Sequence, residues 1–119
     1  MLTRVMITLY KQEVAPRFDL SSEVMLAIVS SDNIVEEQKT IVLPRASAED
    51  LCQWILAEGV TVLICGAIED EYYQFLRWKK LSIFDNVSGD WHKAFDSFLN
   101  NCLHRGDNFS RRIIQGRPV

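Results

Sequence analysis

Cys65 closes the apolar run VTVLIC and is followed at once by Gly66 and a helix-starting acidic cluster, Glu69-Asp70-Glu71. A thiolate at a strand end, beside glycine and a helix N-terminus, could ligate iron, copper or molybdenum through sulfur, although a cysteine in this position is also a small packing residue. Arg17, Phe18, Asp19 and Ser21 lie in the loop after the first strand, and Ser88, Gly89 and His92 lie where the last helix begins. An anion among these segments could be met by the Arg17 guanidinium, the Ser88 hydroxyl and backbone N–H groups, with His92 as an imidazole ligand. Arg17 with Asp19 reads equally as an ion pair that fixes its loop. Cys52 and Cys102 fall on helical apolar stripes and read as core.

Elements that could position these residues follow from periodicity. Residues 2–9 alternate, with Val5, Ile7 and Leu9 on one face and Arg4, Met6 and Thr8 on the other, which predicts a half-buried strand. Residues 10–22 contain Pro16 and a polar cluster and read as an ordered loop. EVMLAIVS and IVEEQKTIVLP, joined by Ser30-Ser31-Asp32-Asn33, predict a hairpin. Ser47 and Asp50 stand at capping-box spacing before Leu51, Trp54 and Ile55, predicting a helix that runs to Gly59. VTVLIC then suits a strand covered on both faces at the centre of the core. A second helix follows from Glu69 to about Lys80, and LSIF forms a short fifth strand. Trp91, Ala94, Phe95, Phe98, Leu99 and Cys102 mark a third helix. This order predicts one α/β domain with parallel strands in its second half.

Composition narrows the function classes. The 119 residues carry a formal charge of −3 and give no broad positive field for nucleic acid. Residues 104–119 are net +3 against −6 for residues 1–103, so they read as a separate basic tail that is flexible. The three cysteines form no CxxC pair, and no run approaches a membrane span, which together predict a reduced cytoplasmic protein. No Walker loop, GxGxxG, nucleophile elbow or HExxH is present, and the first and fourth strands carry no carboxylates for a two-metal nuclease. The expected protein is not an enzyme.

VAPRFDLSSEVMLAIV resembles the strand-loop-strand opening of the dinitrogenase iron-molybdenum cofactor family, and VTVLICGAI resembles its central strand with the Cys-Gly turn. The spacing to DNVSGDWHKAFDSFLNNCL also fits, so the resemblance covers about residues 1–103. The family includes NifX-type proteins and the C-terminal domain of NifB-type proteins. The resemblance implies a ribonuclease-H-like α/β fold with a mixed five-stranded sheet. It implies a non-catalytic carrier for iron-molybdenum cofactor or a related molybdenum-, iron- or copper-sulfur cluster, working with a donor or acceptor protein in cluster assembly. Carried onto this chain, the site would comprise Arg17, Phe18, Asp19, Ser21, Cys65, Gly66, Ser88, Gly89 and His92, with Cys65 and His92 on the metal. Family members commonly show a second glycine where this chain has Ala67, and often a glycine where it has Asp19. A metal-free interaction module that keeps the fold and uses its basic tail is the alternative.

Overall fold

A computed structural model describes residues 2–110 of the chain. Strand β1 (Thr3–Tyr10) is followed by the short β2 (Glu13–Val14), a 3-10 turn (Phe18–Leu20), and the strands β3 (Glu23–Val29) and β4 (Val35–Val42). Then come α1 (Ala48–Ala57), β5 (Val62–Ile64), α2 (Asp70–Trp78), β6 (Ser82–Phe84), β7 (Ser88–Gly89), α3 (Trp91–Leu99) and β8 (Asn108–Phe109). The main sheet runs β4-β3-β1-β5-β6, with β2 folded back onto β1. β3 is antiparallel to both neighbours, whereas β5 and β6 are parallel, as the sequence predicts for the second half, and β1 joins them in parallel.

Side-chain alternation divides the core into two layers. Val5, Ile7, Leu9, Met25, Ala27 and Ile64 meet Trp91, Ala94 and Phe95 of α3 on one face. Met6, Val24, Leu26 and Leu63 meet Leu51, Cys52 and Ile55 of α1 and Leu76 of α2 on the other. β1 lies in the middle of the sheet with helices on both sides, so Met6 and Thr8 are fully buried. The half-buried reading of this strand is therefore corrected, and the centre of the sheet is β1 rather than the VTVLIC strand beside it.

The α1 start is as expected: the Ser47 hydroxyl accepts the Asp50 N–H at 3.2 Å. α3 is shorter than the apolar spacing predicts. It ends at Leu99, Asn101 takes φ +59°, and Cys102 is exposed, which corrects its assignment to the core. Residues 104–110, on the tail side of the compositional break, join the domain through β8, which pairs parallel with β7. The rest of the predicted flexible tail, 111–119, lies outside the described residues.

Candidate functional site

The carboxyl ends of β1, β5 and β6 lie at one edge of the sheet, where open α/β folds commonly bind ligands. The loop after β2 reaches β5 here: Phe18 N–H donates to the Ala67 carbonyl and Ala67 N–H to the Pro16 carbonyl, both at 2.8 Å. From the other side, Val87 N–H donates to the Cys65 carbonyl and Asn86 N–H to the Gly66 carbonyl, both at 3.0 Å. Three of the sequence-selected segments are thus tied edge to edge by backbone. Gly66 is required by that closeness. A Cβ there would stand 2.2 Å from the Ala15 carbonyl oxygen and 2.5 Å from that of Pro16.

Such closeness seals the thiol. Cys65 has no exposed surface and packs in the α1/α2 layer with Phe18, whose ring is 1% exposed. Burial, and secondarily the Asp85 carboxylate, push the Cys65 thiol well above its ordinary range, so it stays protonated. Thr8 lies at the same level of the adjacent strand, one residue beyond the Ile7–Ile64 pair. Its buried hydroxyl has no hydrogen-bond partner among the described residues. Ser21 is also buried, and its hydroxyl donates to the Phe18 carbonyl at 2.9 Å, which closes the 3-10 turn rather than facing a ligand.

The exposed members of the set lie apart from this seal. Arg17 is 58% exposed, and its guanidinium grips Asp19 through two bonds, at 2.7 Å and 3.1 Å. His92 is 61% exposed, stacks on Trp91 with ring centres 3.8 Å apart, and has Nδ1 3.5 Å from Asp90. The α3 start joins the turn between β1 and β2, where Glu13 bridges Asp90 and Trp91 N–H donates to the Gln12 carbonyl at 3.4 Å. It does not meet the Arg17 loop through these contacts. The N–H groups of His92 and Lys93 already donate to the Asp90 carboxylate, at 2.8 Å and 3.3 Å, so the expected anion seat at this helix start is taken by the chain's own cap. The α2 start carries Asp70 and Glu71 in its first turn.

Ser88 and Gly89 are engaged by the returning chain. Ser88 N–H donates to the Asp107 carbonyl at 3.0 Å, and Gly89, at φ +92°, leaves its would-be Cβ 2.3 Å from the Phe109 backbone. Sequence reasoning missed Asp85 and Arg105. Asp85 is 6% exposed at the end of β6 and receives the Arg105 guanidinium on both oxygens, one bond being 3.2 Å. That pairing raises the Arg105 pKa further, and the guanidinium stacks 5.1 Å over Tyr73. The signal was an acid directly after an apolar strand. Among the described residues, no three His, Cys, Asp or Glu side chains gather to hold a metal ion. No helix among them is long and apolar enough to cross a membrane.

The sheet order and helices on both faces define a mixed α/β protein with its candidate site at the carboxyl edge. Solved structures share this arrangement. The protein PH0822 aligns with a TM-score of 0.77 at 17% identity, over 87% of this chain and 94% of its own. A Methanocaldococcus jannaschii protein provisionally named a dinitrogenase aligns at 0.71 and 22%, over 88% and 95%. A Thermotoga protein provisionally named NifB, of the DUF35 family, aligns at 0.68 and 19%, over 92% and 97%. At these identities the likeness establishes the fold. No family model and no curated protein matches the chain.

Proposed function

We propose that this chain is a non-catalytic carrier of a preformed metal-sulfur cluster of the iron-molybdenum cofactor kind, acting between a donor and an acceptor protein in a reduced cytoplasm. The observation that carries the reading is the backbone-tied convergence of Pro16–Phe18, Cys65–Ala67 and Asn86–Val87 at the carboxyl edge of the sheet, the edge at which open α/β folds commonly bind ligands. The strand order, with only β3 reversed among the five main strands, agrees with the ribonuclease-H-like label that the sequence resemblance brings. The names of the Methanocaldococcus and Thermotoga neighbours point the same way.

At this junction the side chain open to a cargo is the exposed Arg17 rather than the sealed thiol, and His92, at the α3 start, is a separate exposed contact. To bare Cys65, Phe18 must leave the core at a cost of about 2 kcal/mol, and two backbone hydrogen bonds must break at about 1 kcal/mol each. An opening cost of about 4 kcal/mol leaves roughly one molecule in a thousand competent, and thiol ligation weakens by the same factor. Arg17 is free for an anionic cluster once Asp19 releases it, and Asp19 stands where relatives often carry glycine.

Anaerobic incubation with thiomolybdate or iron-molybdenum cofactor, followed by desalting and metal analysis, tests the reading. Metal should coelute, Arg17→Ala should lose most of it, and Asp19→Gly should raise affinity up to about fivefold by removing an exposed pair. No coeluting metal and an unchanged absorbance spectrum would reject the carrier. The sealed thiol favours a second reading, a metal-free interaction module on the same fold, and that outcome would support it.

A further inference from the structure

Among the described residues β4 is an edge of the sheet: one side pairs with β3 and the other pairs with no described strand over its eight residues, of which 36–40 are all exposed. Such an edge is a template for another strand. Beside it, between β4 and α1, lies an open apolar groove of about 530 Å³ lined by Ile41, Leu43, Pro44, Leu51, Trp54 and Ala57. Ile34 and Val42, at the two ends of the strand, are 60% and 71% exposed.

We propose that β4 pairs antiparallel with β4 of a second copy of this chain, about a two-fold axis through Gln38, so that two sheets become one. Residues directly opposite in an antiparallel ladder share a face, and a two-fold through a residue satisfies that rule. With Gln38 on the axis, Glu37 of each copy stands opposite Lys39 of the other, giving two opposite-charge pairs on the α1 face. An axis through Glu37 or Lys39 would instead oppose two like charges. Pairing with β3 skips Glu36, so the regular ladder about Gln38 centres on Glu37–Lys39, with the exposed Ile34 and Val42 beyond it. Charges and an irregularity such as that between Ile28 and Val29 ordinarily guard an edge against foreign strands. Here Glu37 and Lys39, which ward off other strands, are matched in charge by Lys39 and Glu37 of a second copy about Gln38.

Sedimentation over a wide concentration series tests this with the full chain. A concentration-dependent dimer is expected, and Lys39→Glu, which turns both pairs into like-charge pairs, should weaken it at least about tenfold. The exchange Glu37→Lys with Lys39→Glu should restore wild-type association, and circular dichroism confirms folding of each variant. A monomer at every concentration, a dimer indifferent to Lys39→Glu, or an exchange variant that is folded yet fails to dimerise would each overturn the proposal. The dimer is independent of cluster binding, so its failure leaves the carrier reading standing.

Discussion

Two junctions at the carboxyl edge of the sheet are built from similar parts and end differently. Where the Pro16–Phe18 loop meets Gly66-Ala67, backbone touches backbone, and Phe18 and Cys65 are both buried in the same core layer. Where the α3 start meets the Gln12–Glu13 turn, the contact is loose and an imidazole stands in solvent. The difference teaches that a Cys-Gly pair after an apolar strand can be fixed by packing alone. The chemistry open to solvent lies with Arg17 and His92.

The largest expected effect breaks the closed junction. Gly66→Ala drives a methyl into two carbonyl oxygens, and unless the loop moves away it should cost about 3 kcal/mol or more, read by chemical denaturation. A pH titration probes the same buried layer. Burial, aided by Glu49, pushes the Cys52 thiol up to about 11 from an ordinary 9.0. The unfolded thiol ionises first, so this stabilisation is whole below pH 9 and is lost as pH rises through 11. The loss should be about 2–3 kcal/mol, and the difference in stability between wild type and Cys52→Ala should change across that window.

Asp85→Asn weakens the clamp on Arg105 and should cost about 1–2 kcal/mol, since the released guanidinium is free to turn to water. Faster hydrogen exchange at the Ser88 and Gly106 amides is the accompanying sign, because both bonds depend on residues 105–107 folding back. At side chains that stand in solvent the effects should be smallest. Arg17→Ala and His92→Ala should each change stability by less than about 0.5 kcal/mol while altering cargo retention. A large loss of stability in either would show that its side chain holds the fold rather than standing free for cargo.

Much of the scaffold was legible from the chain. The hairpin turn, the Ser47 cap and the apolar stripe of α3 are local signals, and each was read from neighbours within a few residues. β1 was misread because Thr8 looks like a solvent-facing residue; nothing local reveals that helices cover both faces of its sheet. Cys102 matched the α3 stripe in spacing, yet the Asn100-Asn101 pair ends the helix, with Asn101 in the left-handed region. The candidate site was legible as a place and not as a surface. Arg105 and Asp85 are 20 residues apart, and their pairing depends on a chain return that charge composition, read along the sequence, assigned to a tail.

Residue-by-residue alkylation of the native protein, with and without thiomolybdate, measures most directly whether the closed junction excludes the thiol. Cys102 should react readily, and Cys65 should stay unmodified in both conditions until denaturant is added. Modification of Cys65 in the free protein at a rate near that of Cys102, with protection by the cargo, would contradict the account and restore the sulfur as a ligand.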